Sequence, residues 1–230
     1  MSRTVGVLGG MGPAATQDFF SRVLALSGAR GDGDHVRLII DSNPAVPDRN
    51  AAVAGEGPSP APVLADMARG LKAAGAQVLV MPCNAAHAFA GAVREATDLP
   101  FVDIIEVTVA ASLATAPGAR VVGILGSTGC LDAGLYQDAF AAHGIATVVP
   151  EGPARERFMR LLYQIKAGQL GPAASAEMAS IADGLIKGGA QAIVAGCTEV
   201  PLVLAAEDIA VPLINSTDAL AAATIEAART

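Results

Sequence analysis

The sequence predicts an α/β fold made of two similar halves, and three observations lead to that class. Short, continuous apolar runs alternate along the chain with longer stretches rich in Ala and Leu. Apolar residues make up 52% of the chain and charged residues 16%, so there is ample material for a buried core. Blocks of sequence also recur at a nearly constant offset. Continuous apolar strands between helices are typical of parallel sheets that are covered on both faces.

The apolar runs and the stretches between them define the predicted elements. Strands are predicted at residues 5–8, 36–40, 78–81, 101–105, 121–125, 145–149, 192–195 and 211–214. Helices are predicted between most of them, among them at residues 14–26, 62–74, 85–96 and 173–187. Every apolar run ends well before the roughly 20 residues that a membrane-spanning helix needs. The apolar run near the first residue is also too short for a signal peptide, so we expect a soluble cytoplasmic protein.

The internal repeat indicates a duplicated half. Three pairs of segments match in the same order: residues 5–9 with 122–126, 71–83 with 185–197, and 100–103 with 212–215. The offsets are 117, 114 and 112, and the second pair shares six of its 13 residues. We therefore expect residues 1–99 plus 212–230 to form the first half, and residues 100–211 to form the second.

Charge and cysteine usage exclude several classes of partner. The formal net charge of −7 argues against nucleic acid and anionic membranes, because both are bound through clustered Lys and Arg. The three cysteines contain no Cys-x-x-Cys pair, and His35, His87 and His143 are scattered, so neither a disulfide framework nor a metal site is expected. The glycine loop at residues 9–12 lacks the dinucleotide fingerprint, because Ala15 occupies the place of its last glycine.

Cys83 and Cys197 are the candidate catalytic residues. A lone free cysteine is usually a small buried hydrophobe. These two occupy equivalent positions in the repeat, and each follows a predicted strand, at the end where open α/β sheets bind ligands. Racemisation removes a proton from one face of Cα and returns a proton to the other face. A thiolate and a thiol on opposite faces can do this by exchanging roles.

Five motifs and their spacing strongly resemble the aspartate racemase branch of the aspartate/glutamate racemase family. They are residues 5–13 (VGVLGGMGP), 47–49 (PDR), 81–89 (MPCNAAHAF), 165–168 (IKAG) and 195–200 (AGCTEV). The resemblance implies an enzyme independent of pyridoxal phosphate, with two flavodoxin-like halves, one catalytic cysteine from each half, no cofactor, and commonly a homodimer. Glu199 fits the aspartate branch, since glutamate racemases typically have His at that place.

A small acidic amino acid needs anchors at both ends if its α-carbon is to be held between two sulfurs. The backbone of the glycine loop can bind an anion. The resemblance implies that Arg49 and Lys166 hold the side-chain carboxylate and that Asn84 and Thr198 contact the α-carboxylate. The residues expected at the substrate are Met11, Gly12, Asn43, Arg49, Asn84, Ala85, Thr128, Lys166, Thr198 and Glu199.

Two departures from the family pattern leave the substrate open. Ala85 and Cys130 stand where family members often have Thr. A packing role is favoured for Cys130, and a structural role for His87. The resemblance also leaves a maleate cis–trans isomerase, a hydantoin racemase or a malonate decarboxylase as alternatives. A two-lobed solute-binding protein with bystander cysteines is the non-enzymatic alternative, and the missing export signal weighs against it.

Overall fold

The computed structural model describes residues 2–230 and confirms the predicted class, two parallel four-stranded sheets flanked by helices. Residue 1, where the expected first half begins, lies outside the described residues. The strands are β1 Val5–Gly9, β2 Leu38–Ser42, β3 Val78–Val80, β4 Phe101–Val102, β5 Val121–Ile124, β6 Ala146–Val148, β7 Ala192–Ala195 and β8 Leu213–Asn215. The order β2-β1-β3-β4 in one sheet is matched by β6-β5-β7-β8 in the other, so both halves have one topology.

Helices cover both faces of each sheet. They are α1 Pro13–Leu26, α2 Arg49–Val53, α3 Ala61–Ala73, α4 Ala90–Ala96, α5 Ile104–Thr115, α6 Thr128–Asp132, α7 Leu135–Ala141, α8 Gly152–Lys166, α9 Pro172–Lys187 and α10 Ser216–Arg229. The central core contains side chains from α1, α5, α7 and α10 and from both sheets. Separate cores lie under α3 and α4, and under α8 and α9. None of the helices within residues 2–230 is both long and apolar enough to cross a bilayer.

The duplication extends to atomic packing. A methyl group on Gly6 would lie 2.8 Å from Ala76 Cβ and 3.1 Å from Leu71 Cβ. A methyl group on Gly123, its counterpart in the second half, would lie 3.1 Å from the Cβ atoms of the counterpart residues, Ala190 and Leu185. Glycine at these two strand positions therefore lets α3 and α9 approach their sheets equally closely.

The strand predicted at residues 101–105 is shorter than expected. It ends at Val102, because the Asp103 side chain accepts hydrogen bonds from the backbone N–H groups of Ile105 (2.8 Å) and Glu106 (3.4 Å) and so begins α5. Asn215, the counterpart of Asp103, begins α10 in the same way. The helix predicted at residues 85–96 is a 3₁₀ turn, Ala85–Phe89, followed by α4.

The strand pairing differs from the expected division of the chain at β4 and β8. Phe101 pairs with Leu79, so β4 belongs to the first sheet, and Leu213 pairs with Ile193, so β8 belongs to the second. The division at residues 99/100 and 211/212 puts these two strands the other way round. The helices that follow do exchange sides, since α5 packs against β7 and β8 while α10 packs against α1, β3 and β4. β4 pairs with the backbone groups of β3, and β8 pairs with those of β7. The chain therefore crosses to the other half only after each of these strands, at the start of α5 and of α10.

Candidate active site

Both predicted catalytic cysteines line one narrow cavity between the halves. Cys83 lies three residues beyond β3 and Cys197 two residues beyond β7, at the carboxyl ends of equivalent strands. The other residues that line the cavity are Met11, Arg49, Asn50, Asn84, Ala85, Ser127, Lys166, Thr198 and Glu199. A larger open groove lies between α8 and α9, but its lining contains no cysteine, histidine or cation. The smaller cavity is therefore the candidate site.

The Cys197 thiol is hydrogen-bonded to a buried carboxylate. Its Sγ donates to Glu199 Oε2 at 3.0 Å, and the Thr198 hydroxyl donates to the same oxygen at 3.4 Å. Burial raises the pKa of the Cys197 thiol well above its ordinary value, and Glu199 raises it further, while Lys166 acts in the opposite direction. In the absence of a ligand, Cys197 is therefore a protonated thiol, a proton donor.

The Cys83 loop is held by His87. Nδ1 of His87 donates to the Cys83 carbonyl oxygen at 2.8 Å, and Nε2 accepts from the Ile104 backbone N–H at 3.2 Å. These two partners define a neutral imidazole with its proton on Nδ1. Burial lowers the pKa of His87, which keeps the ring neutral even though Asp103 lies nearby. The structure therefore gives His87 the structural role that the sequence favoured.

Two cations face the cavity. Lys166 Nζ lies 4.0 Å from Glu199 Oε1. Burial opposes protonation of Lys166, but Glu199 and then the two cysteines outweigh it and raise the pKa of the ammonium group. Arg49 Nη1 donates to the carbonyl oxygens of Val46 (3.2 Å) and Pro47 (3.0 Å), whereas its buried Nε has no hydrogen-bond partner within residues 2–230. An unpaired donor beside a second cation favours binding of an anion.

Three residues expected at the substrate do not line this cavity. Asn43 Oδ1 closes a local turn by accepting from the Ala45 N–H at 3.0 Å. The Thr128 hydroxyl accepts from Arg155 Nε at 3.4 Å, outside the cavity. Gly12 lines an adjacent cavity, which shares Arg49, Lys166 and Glu199 with the candidate site. Cys130 is fully buried in the central core, and burial raises the pKa of its thiol, as befits a packing residue.

Asn50 and Ser127 line the cavity but were missed from the sequence. Asn50 Oδ1 accepts from the backbone N–H of Gly129 at 2.8 Å and so joins the two halves beside the cavity. A methyl group on Gly129 would lie 3.0 Å from Asn50 Cα, so the contact needs glycine there. The available signals were that Asn50 directly follows Arg49 and that Ser127 is the counterpart of Gly10. No group of three or more His, Cys, Asp or Glu side chains among residues 2–230 could hold a metal ion.

The chain is similar to known proteins in both sequence and fold. Residues 8–224 match the family described as Asp/Glu/hydantoin racemase. The chain is 25% identical over 225 residues to the broad specificity amino-acid racemase RacX of Bacillus subtilis strain 168, and the match covers 96% of both. It is similar to the structure of Picrophilus torridus aspartate racemase, with a TM-score of 0.84 and 28% identity over 98% of this chain and 94% of that one.

The fold is shared more widely than the sequence. The structure of glutamate racemase isoform RacE1 from Bacillus anthracis matches 97% of this chain and 80% of its own, with a TM-score of 0.70 but only 17% identity. At that identity the similarity shows a common fold and carries no information about the substrate.

Proposed function

We propose, since the chain belongs to the Asp/Glu/hydantoin racemase family, that it racemises a small acidic amino acid, first of all aspartate, without a cofactor. The observation that carries the proposal is the shared cavity, in which a cysteine from each half stands beside two cations. The duplicated topology gives each sulfur an equivalent place at the end of its own strand. That arrangement suits proton transfer to and from opposite faces of one α-carbon.

Cys83 acts as the base and Cys197 as the acid when the ligand-free enzyme meets its substrate. The Cys83 thiolate removes the proton from Cα, and the Cys197 thiol delivers its proton to the opposite face. The reaction leaves Cys83 protonated and Cys197 as the thiolate, so the next turnover runs in the opposite sense or follows proton exchange with water. The hydrogen bond from Cys197 Sγ to Glu199 supports this assignment, because it favours the protonated thiol.

The two cations hold the side-chain carboxylate of the substrate. Arg49 offers the unpaired Nε, and Lys166 adds an ammonium group that lines the same cavity, 4.0 Å from Glu199 Oε1. Backbone N–H groups beside Met11 and after each cysteine, with Thr198, bind the α-carboxylate and stabilise the enolate-like charge that develops on it. Both ends of the molecule are then fixed, and Cα is held between the sulfurs.

Chiral chromatography of D- and L-amino acids tests the proposal. Wild-type protein should interconvert the enantiomers of aspartate, whereas Cys83→Ala and Cys197→Ala should each abolish inversion. Cys130→Ser, a substitution at the third cysteine, is the control and should retain it, provided that its circular dichroism matches wild type. A panel of other amino acids is needed because Ala85 lines the cavity where relatives often carry a hydroxyl. Inversion by both cysteine variants at the wild-type rate would refute the proposal.

Association of two copies, implied by the family resemblance, stays a prediction. Light scattering should give a mass near twice the 22.9 kDa of one chain. A mass of one chain at the concentrations used for activity measurements would contradict it.

A further inference from the structure

A buried tyrosine touches the chain next to both cysteines. The Tyr136 hydroxyl, on α7, donates to Asn84 Oδ1 at 2.6 Å, and Asn84 directly follows Cys83. The Tyr136 ring also packs against Gly196, which directly precedes Cys197. A methyl group on Gly196 would lie 3.0 Å from Tyr136 Cε2 and 3.3 Å from Cδ2. One side chain therefore spans the two loops that carry the reactive sulfurs.

A second path joins the same loops through α10. Asn84 Nδ2 donates to Ser216 Oγ at 3.1 Å, and the Ser216 hydroxyl donates to the Ala195 carbonyl oxygen at 2.7 Å. Because that carbonyl can only accept, Ser216 Oγ must accept from Asn84, and this fixes the orientation of the amide. The amide oxygen is then left to accept from Tyr136. Each contact in the chain has a single consistent direction.

The network is closed to water. Tyr136 and Ser216 are fully buried and Asn84 is 2% exposed. Burial raises the pKa of the Tyr136 hydroxyl, so the hydroxyl remains a donor. Breaking one such bond leaves a buried polar atom without a partner, which makes the arrangement rigid.

We propose that Tyr136, acting through Asn84 and Gly196, is a positioning residue that sets the spacing between Cys83 and Cys197. The inference rests on the proposed two-cysteine racemisation and deepens it. Asn84, expected from the sequence to bind the α-carboxylate, also uses its side-chain oxygen and one Nδ2 hydrogen within the protein. Tyr136 and Ser216 do not line the cavity and act only through the two loops.

Tyr136→Phe tests the proposal, because it removes the hydroxyl and keeps the ring. Inversion needs both sulfurs at the correct separation, whereas exchange of the α-proton on one face needs only one. In deuterated water the kcat for inversion should fall about 10- to 100-fold, the size of effect that a misplacement of about 1 Å can have. Deuterium entering the recovered enantiomer is almost absent in wild type at early times and should not fall with inversion, so the ratio of exchange to inversion should rise, while KM should change little. An equal fall in both reactions would overturn the proposal.

Phe140→Leu is the matched control, since Phe140 packs near Tyr136 with ring centroids 6.3 Å apart in the same core. It should lower stability while keeping the wild-type ratio of exchange to inversion. If Tyr136→Phe does not fold, Ser216→Ala breaks the second path and is expected to raise the same ratio. A raised ratio in Phe140→Leu as well would assign the effect to lost stability and overturn the proposal.

Cross-linking of the ligand-free protein tests the spacing without any substrate. A bis-methanethiosulfonate with a one-carbon spacer should join Cys83 to Cys197 in wild type, as peptide mass spectrometry would show. The yield should fall severalfold in Tyr136→Phe and in Ser216→Ala. Equal yields in all three proteins, including no cross-link in any, would overturn the positioning role. Failure of the wild type to racemise any amino acid would instead refute the proposed function and leave the cross-linking result standing.

Discussion

Replacement of Glu199 by Gln is expected to make Cys197 more reactive, although it removes a group from the candidate site. The Glu199 carboxylate accepts a hydrogen bond from the Cys197 thiol, with 3.0 Å between Sγ and Oε2. Its negative charge disfavours the thiolate. Gln has the same shape and can still accept a hydrogen bond, but it carries no charge. Without the carboxylate, Lys166 would favour the thiolate with less opposition. The pKa of Cys197 should therefore fall.

The size of the effect follows from the difference between a charged and a neutral acceptor. A hydrogen bond to a charged group contributes about 1.5–3 kcal/mol, and one between neutral groups about 0.5–1.5 kcal/mol. A difference of about 1.4 kcal/mol raises the thiolate fraction roughly tenfold at a pH below the pKa. The nucleophilicity of a thiolate falls as its pKa falls, with a Brønsted coefficient of about 0.4–0.5, so the alkylation rate should rise only about threefold.

The assay measures alkylation of Cys197 by iodoacetamide at several pH values, with the label located by peptide mass spectrometry. All of the proteins compared carry Cys83→Ser, because alkylation of Cys83 could block access of iodoacetamide to Cys197. Glu207→Gln, at an exposed position outside the site, is the control and should react at the parent rate. A slower reaction in Glu199→Gln, or an unchanged pH profile, would mean that Glu199 does not keep Cys197 protonated.

Two further predictions concern Lys166 and His87. Lys166→Met should raise KM for aspartate about 10- to 100-fold, as expected for loss of a charged hydrogen bond worth about 1.5–3 kcal/mol, with a smaller change for alanine. Equal changes for the two amino acids in steady-state chiral assays would argue against a carboxylate site. Because burial lowers the pKa of His87 below its ordinary 6.5, the unfolded chain binds more protons between the two values, and stability must fall as pH falls through 6.5. Urea unfolding at pH 7.5 and 5.5 should show a loss of up to about 1.4 kcal/mol that His87→Gln lacks; the same loss in both proteins would exclude His87 as its source.

Most of the fold could be predicted because the sequence contains an internal repeat, and each copy forms one half. The repeat placed Cys83 and Cys197 at equivalent positions, and two sheets of one topology carry them to the same cavity. The limits of β4 were predicted less well, because the apolar run at residues 101–105 outweighed Asp103. An Asp followed by an apolar helix is a recognisable N-cap, and its counterpart Asn215 repeats the signal.

Contacts between distant residues could not be predicted from one sequence. The partners of Asn84 are 52 and 132 residues away, at Tyr136 and Ser216, and no local pattern connects them. A loop asparagine beside a reactive cysteine is expected to bind substrate, but the sequence could not show that a buried network also uses its side-chain oxygen and one Nδ2 hydrogen. Nor could the sequence show that β4 stays with the first sheet while α5 crosses to the second, because strand pairing depends on which sheet edge is open.

The labelling pattern in deuterated water shows whether two sulfurs exchange protons with opposite faces of one α-carbon. At early times, nuclear magnetic resonance and mass spectrometry of the separated enantiomers should find deuterium at Cα of the inverted product and almost none in the recovered substrate. Inverted product that retains the original α-proton, or equal labelling of the two enantiomers from the start, would exclude proton transfer by two sulfurs on opposite faces.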